Sequence, residues 1–306
     1  MFNSPPRTGT SVFARLPEQT HHSSKRTEFT EQHPGGLHHS VLEGPTFDRH
    51  GNFWCVDVPF GRIFRIPRGE RTFRLVSEYD GEPNGLAIHS DGRIFITDYK
   101  HGIMLLDAKS GSVNPVLTRH NMERFKGVND LVFSKGGELY FTDQGTTGMH
   151  DPTGRVFRFC PDGRLECLLN NVPSPNGIAL DPEEKNLYIA VTRDNAIWKM
   201  PLLPNGRMAK VARYIQLSGG VGPDGLAMDE TGRLAIAHPG LGVVWIYSER
   251  GEPALRVDSC AGSLTTNVAF GGPDRKTLFI TEGETGSILT ADVDVPGKSL
   301  FSHASP

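Results

Sequence analysis

Six polar residues of this sequence share one setting. Glu43, Asn84, Asn129, Asn176, Asp224 and Asn267 each open a short apolar run, followed by a turn and a second apolar run. Each carries a side-chain oxygen, and two are carboxylates. Such oxygens bind hard cations, take protons from water, or simply hold turns. The choice depends on whether the six meet in space. They lie 41, 45, 47, 48 and 43 residues apart along the chain. A period of roughly 40–50 residues with several short strands per unit is the mark of propeller blades.

The units read LEGPTFDRHGNFWCVD from Leu42, PNGLAIHSDGRIFITD from Pro83, VNDLVFSKGGELYFTD from Val128, PNGIALDPEEKNLYIAV from Pro175, PDGLAMDETGRLAIAH from Pro223 and TNVAFGGPDRKTLFITE from Thr266. A third strand follows each (GRIFRI, GIMLLD, GRVFRF, AIWKM, GVVWIY, GSILTADV), and in most units a more polar fourth. Strands of this length, β-branched and aromatic and bounded by Asp-Gly or Gly-Gly, predict four-stranded antiparallel sheets. The fold class is therefore all-β, a six-bladed propeller over residues 41–306. Residues 1–40 are expected to hold a closing strand and a polar tail or loop. A ring must close or leave an edge exposed. Residues 11–16 are expected to supply the outer strand of the last blade, with KSLFS near the C-terminus as the competitor.

In such a ring the innermost strands, A, all run the same way along the axis. Their first residues converge at one mouth of the channel, and the loops between the second and third strands, B and C, return to that mouth. Glu43, Asn84, Asn129, Asn176, Asp224 and Asn267 then form a ring of oxygens, costly to bury without a partner. A hard divalent cation is a suitable one. The competing reading is that Asn84, Asn176 and Asp224, each followed by Gly, serve only as turn residues. It suits Glu43 and Asn129 less well.

Composition narrows the function. With 32 Lys+Arg against 35 Asp+Glu, nothing favours nucleic acid or an acidic membrane. No apolar run approaches the ~18 residues of a spanning helix, and the N-terminus lacks a secretory h-region, so a cytoplasmic protein is expected. Cys55, Cys160, Cys167 and Cys260 form no zinc spacing and are expected to be reduced. His21, His22, His33, His38 and His39 fall in or beside the polar segment and are expected to be solvated.

LEGPTFD, GVNDLVFSKGGELYFTDQG, SPNGIALDPEEKNLYIA, GPDGLAMDETGRLAIA and TNVAFGGPDRKTLFITE together resemble the SMP-30/gluconolactonase family across residues 41–293. That resemblance implies a metal-dependent lactonase with one divalent ion, Ca²⁺ foremost, with Mg²⁺, Mn²⁺ or Zn²⁺ possible. It implies Glu43, Asn176 and Asp224 as ligands, with Asn129 a ligand or a substrate contact and Asp130 a further polar site position. Sugar-lactone members carry an Arg two residues before the Asn of the N-D pair; here that position is Gly127, preceded by Lys126. A lactone with fewer hydroxyls is the expected substrate.

Asp224 is assigned to ion binding and proton removal, with Asp130 the rival base. Asn84, Asn129, Asn267, Arg193 and His238 are assigned to the substrate, His238 also as a candidate proton carrier. The pocket walls are expected from the B–C loops and from the long stretch QGTTGMHDPTG, residues 144–154. Phosphotriester hydrolysis, a non-catalytic calcium-binding module and a strictosidine synthase-like propeller are the alternatives; the last would not need the Glu43, Asn176 and Asp224 set.

Overall fold

The computed structural model describes residues 4–32, 37–204 and 207–304. Six antiparallel sheets are arranged as blades, each built outward from its A strand. The A strands are Leu42–Phe47, Pro83–Ile88, Val128–Phe133, Pro175–Leu180, Leu226–Met228 and Thr265–Gly271. The B strands are Phe53–Asp57, Ile94–Asp98, Leu139–Asp143, Asn186–Val191, Leu234–His238 and Thr277–Glu282. Alternation along these strands sends apolar residues into six clusters, one between each pair of neighbouring blades. Blades 6 and 1, for example, are joined through Phe47, Phe53, Phe64, Ala269, Phe279 and Ile288. Interdigitation of this kind, repeated around a ring, holds the A strands in place without any long helix.

The N-terminus closes the ring twice. Ser11–Arg15 pairs antiparallel with Ser287–Asp292 as the outer strand of blade 6. Just before it, Arg7–Gly9 pairs parallel with Pro253–Asp258 and gives blade 5 a fifth strand. Arg7 fixes this second contact with a two-pronged pair to Asp258, at 2.9 and 3.0 Å. One short segment therefore covers two sheet edges.

The polar segment expected as a tail is built onto the mouth. Glu18–His21 and Glu28–Gln32 are helical. Thr27 Oγ1 donates to Pro59 O in the B–C loop of blade 1, and Glu28 lies 3.4 Å from Lys100 in that of blade 2. His21 is buried rather than solvated, with its Nε2 3.0 Å from Glu284 O. His33 lies outside the described residues.

The C-terminal segment takes a place of its own at the opposite end of the channel. Lys298 N donates to Met228 O, Phe301 packs on Phe133 and His89, and Ser302 Oγ donates to Phe47 O. A cavity of about 130 Å³ remains on the axis between this plug and the A-strand starts, lined in part by Asp130 and Asn267. All four cysteines are free thiols. Among the described residues no helix is long and apolar enough to cross a membrane.

Candidate active site

The six leading residues do not make turns. Those of blades 1, 2, 3, 4 and 6 sit inside strand A, where the pairing with strand B shifts register. A bulge at this point turns successive side chains away from strict alternation and toward one side. It explains why Asn129 and Asp130, adjacent in sequence, both serve the axis. In blade 5, Asp224 precedes a shortened strand A, and its N–H still donates to Ala237 O on strand B.

The glycine that follows four of these residues, Glu43 among them, permits close approach. A Cβ on Gly177 would stand 2.2 Å from Asp224 O, and one on Gly225 only 1.9 Å from Asn267 Oδ1. Neighbouring blades are thus in backbone contact at the mouth. Threonines of the B strands complete the seam. Thr142 Oγ1 accepts the N–H of Asp130 at 3.0 Å and donates to Asn176 O of the next blade at 2.8 Å. Thr97 does the same between Gly85 and Asn129. Thr281 Oγ1 accepts the N–H of Asn267.

Within this frame the ring side chains are held unequally. Glu43 is buried and accepts Gly44 N–H and Asn267 Nδ2, each at 2.8 Å. Asp130 accepts the N–H groups of Leu131 and Ile178 and a bond from the Asn267 side chain. Asp224 is bonded by the Asn176 side chain. Asp224 retains some surface at the mouth, yet atoms crowd it closely enough to strip most of its hydration. Asn129 is buried, and its Nδ2 donates to Gln144 Oε1 at 2.9 Å.

The charges record the crowding. Burial, reinforced by the Asp130 charge, pushes Asp224 up to about 8, against the pull of Asn176 and Arg193. Burial pushes Asp130 up to about 7 despite its three donors. Glu43 lies well above the ordinary carboxylate range, first through burial and then through the charge of Asp224.

These residues fit a hard cation. Asn129 Oδ1 is buried with no hydrogen-bond partner. A buried acceptor without a donor is rare and costs about 1–3 kcal/mol. It lies in a ring with carboxylates that are short of donors. Among the described residues no three His, Cys, Asp or Glu side chains form a metal cluster. The fit therefore rests on a mixed set of carboxylate and amide oxygens, which suits Ca²⁺, Mg²⁺ or Mn²⁺ better than Zn²⁺.

The remaining candidates divide. Arg193 is exposed on the B–C loop of blade 4, and its charge reaches Asp224. Asn84 is half-buried in its bulge. Asn267 is engaged by Glu43 through Nδ2 and by Val268 N–H through Oδ1. His238 has no exposed surface; its Nε2 is 2.9 Å from Gly219 O, and burial lowers its pKa. It occupies the strand-B end position that Asp98 and Asp143 hold in their blades. Lys126 Nζ is engaged by Thr153 Oγ1 at 2.7 Å.

The sequence places Gln144 and Tyr99 in the expected pocket walls without showing what they meet, and it does not mark Ser174. Gln144 meets Asn129, and Ser174 meets Gln144, only through the fold. Tyr99 stands with its ring against Gly127, where a Cβ would lie 2.6 Å from Tyr99 Cζ. The threonines of the ITD, FTD and ITE endings do recur in the sequence, and that repetition could have marked them.

The profile of the SMP-30/Gluconolactonase/LRE-like region matches residues 41–284. A gluconolactonase of Zymomonas mobilis is 31% identical over 272 residues, covering 78% of this chain and 75% of its own length. The lactonase drp35 of Staphylococcus aureus is 31% identical over 225 residues, covering 69% and 68%. Among solved structures, the calcium-binding protein regucalcin of Agrobacterium tumefaciens superposes with a TM-score of 0.77 at 20% identity, covering 97% of this chain and 98% of its own. A gluconolactonase of Xanthomonas campestris gives 0.73 at 21%, covering 84% and 86%.

Proposed function

The chain belongs to the SMP-30/gluconolactonase/LRE-like family, and on that footing we propose that it is a lactonase whose ring of Glu43, Asn129, Asn176 and Asp224 holds one divalent cation. The observation that carries the cation is the buried Asn129 Oδ1, without a donor beside carboxylates that lack enough of them. Bound there, the ion would polarise an ester carbonyl and offset the charge that develops on its oxygen.

The chain's own groups supply the rest. Asp224 has one side-chain donor and a surface open to the mouth, so it can accept a proton from an incoming water. Asp130 has three donors and faces the inner cavity, which favours Asp224 as the base. The water oxygen bonds to the lactone carbonyl carbon, the ring C–O bond breaks, and the proton held by Asp224 passes to the departing alkoxide. Arg193 stands on the rim, where the carboxylate of the opened product emerges.

The position taken by Arg in sugar-lactone members is here a glycine covered by an aromatic ring, and Lys126 is engaged elsewhere. Both observations support a lactone with fewer hydroxyls than an aldonolactone. The test is a panel of lactones, linear esters and phosphotriesters, assayed with chelator and with each divalent ion restored. Lactones should show the highest kcat/KM, and chelation should abolish it. Phosphotriester turnover equal to that of every lactone would overturn the reading.

A further inference from the structure

We infer that Gln144 is a positioning residue that sets which end of the Asn129 amide faces the ring. The inference rests on the reading of that ring as a cation site. Gln144 is the first residue after strand B of blade 3. Its main chain is anchored, since its N–H donates to Gly127 O at 2.8 Å. Its side chain is held at both ends. Nε2 donates to Ser174 Oγ at 3.0 Å, which leaves Oε1 to accept Nδ2 of Asn129 at 2.9 Å.

Ser174 is fixed in turn. It is buried and takes a positive φ of 64°, unusual for a residue with a Cβ. Its N–H donates to Thr147 Oγ1 at 3.1 Å, and Thr147 Oγ1 donates to Gln144 O at 2.6 Å. The circuit from Gln144 through Ser174 and Thr147 returns to Gln144, so the long stretch after strand B is tied to the ring through one amide.

An amide offers a donor at one end and an acceptor at the other. With Nδ2 given to Gln144, Asn129 presents Oδ1 to the ring, and that oxygen is the buried one without a partner. If both amides were flipped, Nδ2 would face the ring instead. It carries no lone pair for a cation, so a cation bound through Asn129 needs the observed orientation of Gln144. Outer partners that orient a ligand in this way commonly contribute 10–100-fold to metal affinity.

The test replaces the amide by groups with a single hydrogen-bonding sense and reads Ca²⁺ and Mn²⁺ affinity by calorimetry on the chelator-stripped, full-length protein. Thermal melting in chelator shows that each variant is folded. Gln144→Glu can only accept from Asn129, so it should retain wild-type affinity or exceed it. Gln144→Met imposes no orientation and should bind roughly 10–100-fold more weakly. Ser174→Ala removes the group that holds the far end of Gln144 in place and should fall between the two, which keeps the test usable if one variant at position 144 fails to fold. A merely structural role would weaken the Glu and Met variants alike. Wild-type binding with Glu and Met variants of equal affinity overturns the positioning role and leaves the cation site standing. A wild-type protein that binds neither ion overturns both.

Discussion

Two sets of carboxylates lie at the same end of this propeller, one at the starts of the A strands and one at the ends of the B strands. Asp98, Asp143 and Glu282 of the second set are more deeply buried than Asp224 of the first. Their partners differ. Asp143 accepts Lys126 N–H at 2.7 Å, Gly127 N–H at 2.9 Å and Arg155 Nε at 2.7 Å. Asp98 accepts the N–H groups of Glu82, Lys100 and His101 and the hydroxyl of Tyr79. Glu282 accepts two backbone N–H groups and Thr285 Oγ1. Glu43 has only Gly44 and Asn267, and Asp224 has Asn176. Burial alone therefore does not mark the working groups. On the proposed reading, Glu43 and Asp224, left short of donors, are the groups that await a ligand, whereas Asp130, with three donors, is held like the second set.

Four measurements distinguish the two sets of carboxylates. The largest effect is expected for Asp224→Ala, which should lower kcat by at least about 10³-fold, within the range for a lost acid–base group. Its melting point in chelator should stay near or above the wild type, because the variant removes a crowded carboxyl that the fold supplies with few donors. A folded variant with more than a tenth of wild-type kcat moves the base to Asp130.

Asp143→Ala should have the opposite signature. It takes from Arg155, which is 7% exposed, its buried partner and leaves it the exposed Glu123 and Arg124 O; breaking a buried pair costs about 3–5 kcal/mol. At roughly 2–4 °C per kcal/mol for a large domain, Tm should fall by about 10 °C. Ion affinity should change far less than in Asp224→Ala. If Asp143→Ala instead loses ion binding at unchanged Tm, the division between the two sets fails.

A smaller shift should follow ion removal. Ligand at 100 times Kd stabilises by about 2.7 kcal/mol, so chelation should lower Tm by about 5–10 °C in the wild type. In Asp224→Ala it should have almost no effect. Equal chelator shifts in both proteins would place the ion elsewhere.

The smallest effect concerns Asp57, which ends strand B of blade 1. Burial pushes it up to about 7, and Arg62, Ser40 Oγ and Val41 N–H only partly offset this. A carboxyl whose pKa is raised in the fold binds more protons folded than unfolded between its two pKa values. Its contribution to stability therefore falls as pH rises from about 4 to about 7. Asp57→Asn should flatten that part of the Tm–pH curve by a few degrees relative to wild type, both in chelator. Parallel curves would show that Asp57 does not titrate there.

Much of this architecture was legible in the sequence because a repeat averages out local ambiguity. Any one stretch such as PNGLAIHSDGRIFITD could belong to a sandwich, but six in register could not easily do so. The lead oxygens were legible for the same reason. The turn reading of Asn84, Asn176 and Asp224 failed on a tertiary fact: their glycines serve the close approach of neighbouring blades, which no single unit displays. The N-terminal segment lacks a period, so the sequence leaves a tail and a surface loop equally open for it. It is ordered by contacts to loops far away in sequence, as with Thr27 on Pro59 and His21 on Glu284. His238 drew attention as a histidine at a strand end, and only packing shows that its ring turns to Gly219.

The sequence alone carried the number of blades, the antiparallel four-strand plan and the set of oxygens expected at one mouth, and it left two segments competing to close blade 6. These follow from periodicity and strand alternation, which are local properties repeated along the chain. The tertiary structure decided which carboxylates are satisfied, which amide end faces the axis and which segment seals each end. Those outcomes depend on the donors that neighbouring blades present across a gap of a few ångströms. The chain order of Gln144, Ser174 and Asn129 carries no trace of that gap.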